Sequence, residues 1–435
     1  MLDSDCDLSA AIHTLRTTPV SLSSLLAKKP EDATPRPHAE AVARLQRLVG
    51  ALNLPPALLT ELQQPARLIT FTTGGHTGWR ARQALDHPAL GAFHLDPALD
   101  AEAVRAAALR AHLQCALLGL PHAGAAGGLA APRATDLTPC VAALRHDQGP
   151  ELDIFARGPG VNARALARWT RTRNQLLGRL ERGATVGQPA RLGGSGARDG
   201  AVGRGAMLVM DRFARQLGLN PRALRVAVHG FGPVGRSTAR FLSQAGYRVI
   251  AICERRGGVL AEGGLDVDAL AQQLDAARQT NPDATLASIS DHTPLSPDGV
   301  LAHDAEVLVL ASGASVLGPE HVSRVRARYL LEVAGDAIRP EVDAELVERR
   351  VAVLPDLMVG AGGLVMDHLC WHRARYAPDR TDEILLNQLA ATLDRAWRAL
   401  WAVAMDEGRS ARSAALTLAL RRLAAQTTAR LQETP

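Results

Sequence analysis

The stretch LRVAVHGFGPVGRSTARFLSQAGYRVIAICE, residues 224–254, constrains the fold more than any other part of the chain. A β-branched apolar run leads into Gly230-Phe231-Gly232-Pro233-Val234-Gly235, a helical pattern follows, and a second apolar run ends in Glu254, 24 residues beyond Gly230. Each part has a mechanical role. The glycines permit a tight turn and close approach of backbone to a pyrophosphate, the helix N-terminus favours negative charge, and the acid accepts hydrogen bonds from a ribose diol. The spacing predicts a dinucleotide-binding βαβ unit with Gly230, Phe231, Gly232, Pro233, Val234, Gly235 and Glu254 as its cofactor contacts. The same glycines also serve strand–helix packing, so a scaffold that has lost its nucleotide fits the pattern too. Arg255 and Arg256 beside Glu254 leave NAD and NADP both open. Further apolar runs at EVLVLAS, RYLLEVAG and VAVLPD alternate with helical segments, which predicts an α/β fold with a parallel, doubly wound sheet.

Upstream, helices are expected at 38–52 and just after Pro55, then a hairpin through RLITFTT and GGHTGWRARQAL. An Ala/Leu-rich helix at 99–118 runs into LPHAGAAGG, which reads as a glycine-rich loop. A further helix is expected over 162–182, followed by QPARLGGSGARDGAVGRGA as a hinge into a helix at 204–217. The predicted organisation is an extension or linker at 1–40, an N-terminal α/β domain at 41–190, a Rossmann-type domain at 191–362 and helices at 363–435 packing back on both.

Composition narrows the chemistry. Of 49 basic residues only Lys28 and Lys29 are lysines, so from Pro30 onward no side chain can form a Schiff base or act as an amine base. The net charge of +5 is spread through 44 acidic residues with no basic block, which argues against nucleic acid. Five cysteines without a CxxC pair fit reduced thiols in the cytoplasm, the N-terminal residues lack a signal-peptide pattern, and no apolar run has the length of a membrane span.

Four segments resemble the glutamate/leucine/phenylalanine/valine dehydrogenase family, in the family's order: LPHAGAAGG, GGSGARDGAVGRGA, HGFGPVGRSTARFLSQAG and LPDLMVGAGGLVMDHLCW. The resemblance implies a substrate and assembly domain, a Rossmann domain, closure of a cleft between them, usually a hexamer, and reversible NAD(P)-linked oxidative deamination of an amino acid. In relatives a lysine of the glycine-rich segment and an aspartate move the protons, and other lysines and a serine hold substrate carboxylates. Carried over residue by residue, the catalytic lysine falls on Ala126 and the aspartate on Gly158. The substrate lysines fall on Leu90 and Gln114, the threonine of the hinge segment on Val202, an asparagine on Gly360 and the serine on Asp367. No acid lies between Asp153 and Glu181. Losing the acid–base groups alone typically forfeits about 10²–10⁴-fold in rate.

The resemblance with these departures implies a regulatory-type subunit that assembles with an active glutamate dehydrogenase paralogue, in a hetero- or homo-hexamer, and binds an amino-acid or nucleotide effector. Two other readings stay open: an active divergent dehydrogenase using His122, Asp367 or an arginine, and a stand-alone nucleotide or amino-acid sensor. His94 is a further histidine that could replace a lost catalyst. His368 and His372 have the i, i+4 spacing of a zinc pair, but one element alone supplies ligands and no metal site is assigned. Ser195 reads as a hinge or phosphate-facing residue, and Arg324, Arg326 and Arg328 as a solvated face.

Overall fold

The computed structural model describes residues 37–133, 135–149 and 151–433. The expected extension at 1–40, with Cys6, Lys28 and Lys29, lies outside them except for its last four residues, which open the first helix. In chain order the elements are α1 (Pro37–Ala51), α2 (Pro56–Gln63), β1 (Arg67–Thr73), β2 (His76–Arg82), β3 (Ala89–Leu95), α3 (Ala101–Leu118), β4 (Ala123–Leu129), α4 (Thr138–Ala143), β5 (Asp153–Arg157) and α5 (Ala163–Leu177). They continue with α6 (Ala201–Gln216), β6 (Arg225–His229), α7 (Pro233–Gln244), β7 (Arg248–Glu254), β8 (Gly257–Leu260), α8 (Val267–Thr280), β9 (Thr293–Leu295), β10 (Val307–Leu310), β11 (Tyr329–Glu332) and β12 (Ala352–Leu354). Three helices close the chain: α9 (Gly362–Tyr376), α10 (Asp382–Asp406) and α11 (Ala411–Glu433).

Contacts divide the described chain into two compact units. The first comprises residues 37–199, 363–392 and 416–433, and the second residues 200–362 and 393–415.

The first unit is built on a sheet of order β1-β2-β4-β3-β5, antiparallel from β1 to β4 and parallel from β4 to β5. Its helices start and stop where the local chemistry dictates. The Asp100 side chain accepts from Ala103 N at the start of α3, and Gly119 at φ +66° closes it. Asn162 and Gly178 do the same for α5. One sheet face packs Phe93, Phe155 and Trp169 with ring centroids 5.1–5.4 Å apart. The other packs Ala81 and Ala126 against Val104 and Ala108 of α3.

LPHAGAAGG is not a loop. Residues 123–129 are the central strand β4, and every one of them is buried. The glycines answer to packing on both faces: a Cβ at Gly124 would lie 2.0 Å from His112 N of α3, and one at Gly127, on the opposite face, would lie 3.0 Å from Phe93 Cδ2. Small side chains let a helix backbone lie against the strand, and the glycine count reported that closeness rather than a ligand loop.

The second unit carries the sheet β12-β11-β10-β6-β7-β8-β9. It is parallel from β12 to β7, as the β/α alternation predicts, with an antiparallel edge of β8 and β9. The strand order reverses about β6, which places the turn after His229 at a topological switch point. α6 starts at Ala201, three residues before the expected 204, because the αL conformation of Gly200 (φ +72°) opens it. Phe213, Trp397 and Trp401 pack together, with Tyr329 against Phe213. Glu332, fully buried, accepts from Ile338 N at 2.9 Å and pairs with Arg412 at 2.8 Å.

Candidate functional site

In the second unit the dinucleotide motif has the geometry its spacing predicts. Gly230 takes φ +111° and donates to Cys253 O at 2.9 Å. A Cβ at Gly230 would lie 2.6 Å from Ser312 N, and one at Gly235 only 1.8 Å from Gly230 O, so both glycines are required by the fold itself. Gly232 differs: a Cβ there would meet nothing within 4 Å. It stands as N-cap of α7 with no side-chain cap, and Pro233 supplies no donor, which leaves the first helical N–H groups to an anion. These residues fit a pyrophosphate. Glu254 ends β7 as expected, but its Oε1 accepts from Arg278 at 2.6 Å, so Oε2 is left for a ribose hydroxyl. Sequence spacing gave no sign of Arg278, which reaches back from α8.

This asymmetry makes a direct test. Gly235→Ala is expected to destabilise the second unit by about 1–3 kcal/mol, the range of a forced overlap in a packed core. Gly232→Ala is expected to leave the thermal midpoint unchanged while weakening binding of NAD(P) by about tenfold, measured by calorimetric titration.

In the first unit the positions aligned with proton-transfer groups are filled differently. Ala126 is 1% exposed and packs with Ala81, Leu99, Val104 and Ala108. Gly158, just past β5, has no room for a side chain: a Cβ would lie 2.4 Å from Phe93 O and 2.8 Å from His94 Cδ2. Leu90 is fully buried on β3 beside Gly124 and Ile154. Gln114 lies on α3, half-buried. Asp367 on α9 is buried, and both its oxygens accept from Arg198, at 2.6 and 2.9 Å. Burial pushes this carboxyl up and Arg198 opposes it; the two-point geometry is that of an ionised pair. Val202 and Gly360 belong to the second unit, on the first turn of α6 and next to Val333 O.

Two histidines that the sequence treats separately meet. His122 Nδ1 lies 3.1 Å from Pro88 O and donates to it, so Nε2 accepts the proton of His368 Nδ1 at 2.8 Å. Trp371 stands edge-on to His122, ring centroids 4.8 Å apart. Burial drives His122 down to about 4 and His368 down to about 3, with the neighbouring imidazoles adding to the latter. Both are neutral near neutral pH, and His122, just before β4, is buried. His94, on β3, is also driven down to about 4 by burial. His372 lies 6.3 Å from His368 between ring centroids, and no group of three or more His, Cys, Asp or Glu among the described residues is placed to hold a metal ion.

Ser195 is tied into the turn in which it stands. It is 2% exposed, its Oγ donates to Asp382 Oδ1 at 2.5 Å and accepts from Ala197 N, and Arg373 donates to the same carboxylate at 2.8 Å. It therefore fixes the GGSG turn, as a hinge residue would. Arg324, Arg326 and Arg328 are exposed. Arg198 is the site residue that sequence reading missed: it stands within the quoted GGSGAR segment, yet nothing in a chain read linearly joins it to Asp367, 169 positions on.

Residues 193–430 match the model of the glutamate/leucine/phenylalanine/valine dehydrogenases, more than half of the chain. The chain belongs to this family. The hetero-hexameric glutamate dehydrogenase of Thermus thermophilus, solved in a Leu-bound form, is 31% identical with a TM-score of 0.84, over 93% of this chain and 99% of that one. The NADP-specific glutamate dehydrogenase of Synechocystis sp. is 28% identical over 77% of this chain and 81% of its own. The NAD-specific enzyme of Staphylococcus aureus is 24% identical over 85% and 90%. The family is one of amino-acid oxidoreductases with an α/β two-domain fold, and its members use nucleotide cofactors of both kinds. Among the described residues no helix is long and apolar enough to cross a membrane.

Proposed function

We propose that this dehydrogenase-family chain is a non-catalytic subunit of a hetero-oligomeric NAD(P)-dependent glutamate dehydrogenase in the cytoplasm, tuning a lysine-bearing paralogue in response to an amino-acid or nucleotide effector. The observation that carries the reading is the filling of the proton-transfer positions: Ala126 lies in an apolar cluster and Gly158 abuts the Phe93 carbonyl. A chain without lysine after residue 29 has no amine base to substitute. His122 and Asp367, which a divergent enzyme would recruit, are each committed to a neighbouring side chain. The hetero-hexameric relative supports assembly with a second type of subunit, and its bound Leu supports an amino-acid effector. The free, buried thiols of Cys115, Cys140, Cys253 and Cys370 suit a reducing compartment.

The nucleotide motif of the second unit is intact enough to hold NAD(P), so the chain is expected to bind cofactor without turning it over. Co-expression with a lysine-bearing paralogue tests the subunit role. A stable mixed oligomer whose rate or effector response differs from the paralogue alone is expected; no mixed oligomer, or one with unchanged kinetics, contradicts it. Restoring the groups does not restore the reaction. Ala126→Lys with Gly158→Asp is expected to lower stability by about 3–5 kcal/mol, through a buried ammonium and a backbone overlap, and to yield no deamination in a spectrophotometric assay.

A further inference from the structure

The acid that closes β7 does not stand alone. Glu254 pairs with Gly257 across the β7–β8 hairpin, so Arg255 and Arg256 form its two-residue turn. Arg278, in the last turn of α8, donates through Nη2 to Glu254 Oε1 at 2.6 Å and through Nε to Ala284 O at 3.1 Å. Two contacts from one planar group fix the guanidinium, and its Nη1 has no hydrogen-bond partner among the described residues. The pair stays within reach of a ligand, with the Glu254 side chain 15% and the Arg278 side chain 32% exposed. Arg256 pairs with Asp283 at 2.7 Å, both of them exposed, a contact of little energy that a ligand can displace. Arg255 is exposed and has no ion-pair partner among the described residues.

Charge decides which ribose fits here. A 2′,3′-diol is held best by a carboxylate with both oxygens open, and Arg278 occupies one of them. The same contact offsets the charge with which Glu254 would repel a phosphate. At the end of β7 the guanidiniums of Arg255, Arg256 and Arg278 outnumber the carboxylates of Glu254 and Asp283. A phosphoryl group of charge about −2 gains from that excess, and a neutral hydroxyl does not. The oxygen left on Glu254 matches the single hydroxyl that a 2′-phosphorylated ribose retains.

We propose that Arg278 sets the cofactor choice of this chain, and that the nucleotide it selects carries a 2′-phosphate on its adenosine ribose, NADP(H) over NAD(H). Arg278 holds Glu254 Oε1 away from the diol, and its Nη1 together with Arg255 supplies donors for the phosphate. The proposal rests on the reading that the Gly230–Gly235 motif holds NAD(P), and is independent of whether the chain turns the cofactor over.

Calorimetric titration of the full chain with NADPH and NADH, and with adenosine 2′,5′-bisphosphate and 5′-AMP, tests it. Each pair differs only in the 2′-phosphate, and both members are titrated on one preparation, so the ratio does not depend on the fraction folded. NADPH is expected to bind about tenfold or more tightly than NADH, and the bisphosphate than AMP. Arg278→Met frees both oxygens of Glu254 and removes the cation, and is expected to reverse the ratio in favour of NADH. Arg278→Lys keeps the charge and is expected to keep the direction of the preference. Arg255→Ser is expected to weaken NADPH binding severalfold and leave NADH binding unchanged. NADH binding as tightly as NADPH, or a preference for NADPH that survives Arg278→Met, overturns the proposal and leaves cofactor binding standing. No binding of either nucleotide at about 1 mM overturns both.

Discussion

Between about pH 7.5 and pH 5 the first unit is expected to lose several kcal/mol of stability, enough to unfold it in modest urea. Four of its histidines are held as neutral rings, His122 buried and His94, His112 and His368 half-buried. His94, His112 and His122 are driven down to about 4 and His368 to about 3, in each case chiefly by burial. Nearby charges modulate this. Asp96 raises and Arg110 lowers His94, while Asp86 raises and Arg430 and His87 lower His112. The unfolded imidazoles titrate near 6.5, so below that pH the unfolded state binds more protons than the folded one. The stability is fully present above about pH 6.5 and is lost as pH falls through the folded values, on the order of 2 kcal/mol per ring at about pH 5. Urea titration followed by Trp fluorescence checks it, because Trp371 lies beside His122 and His368. An unfolding midpoint that does not move over this range would contradict the neutral assignment.

Arg198→Met is expected to destabilise the first unit by about 3–5 kcal/mol, since it leaves the Asp367 carboxylate buried without a counter-charge. Arg198→Met with Asp367→Leu is expected to recover most of that loss, because an apolar pair of similar volume has no charge to desolvate. The double-mutant comparison, read by urea unfolding at about pH 7.5, separates a locked ion pair from a site held open for a substrate. In the latter case the two changes would add, and Asp367→Leu alone would be nearly neutral.

How much of this was legible in the sequence follows from the range of each signal. The parallel strands β6, β7, β10, β11 and β12 announce themselves as short apolar runs, and the Gly230–Gly235 turn is specified by neighbours within a few residues. Local chemistry suffices there. The segment 120–128 misleads because glycine and alanine mark close backbone approach of any origin, and here the partner of Gly124 is helix α3 rather than a ligand. That distinction depends on residues of another element. Ser195 with Asp382, Arg198 with Asp367, His122 with His368 and Arg278 with Glu254 are pairings whose members lie 24 to 246 positions apart. No periodicity encodes them.

What the sequence did carry is the negative fact on which the functional account turns, the absence of lysine after residue 29. The structure adds that Ala126 and Gly158 sit in filled surroundings. The most direct test is to purify the chain alone and assay NAD- and NADP-linked deamination and reductive amination with glutamate, leucine, valine and phenylalanine and their oxo acids. Cofactor binding with no turnover above background is expected for every one of them. Sustained turnover of any one, retained in His122→Phe or abolished by it, would contradict it.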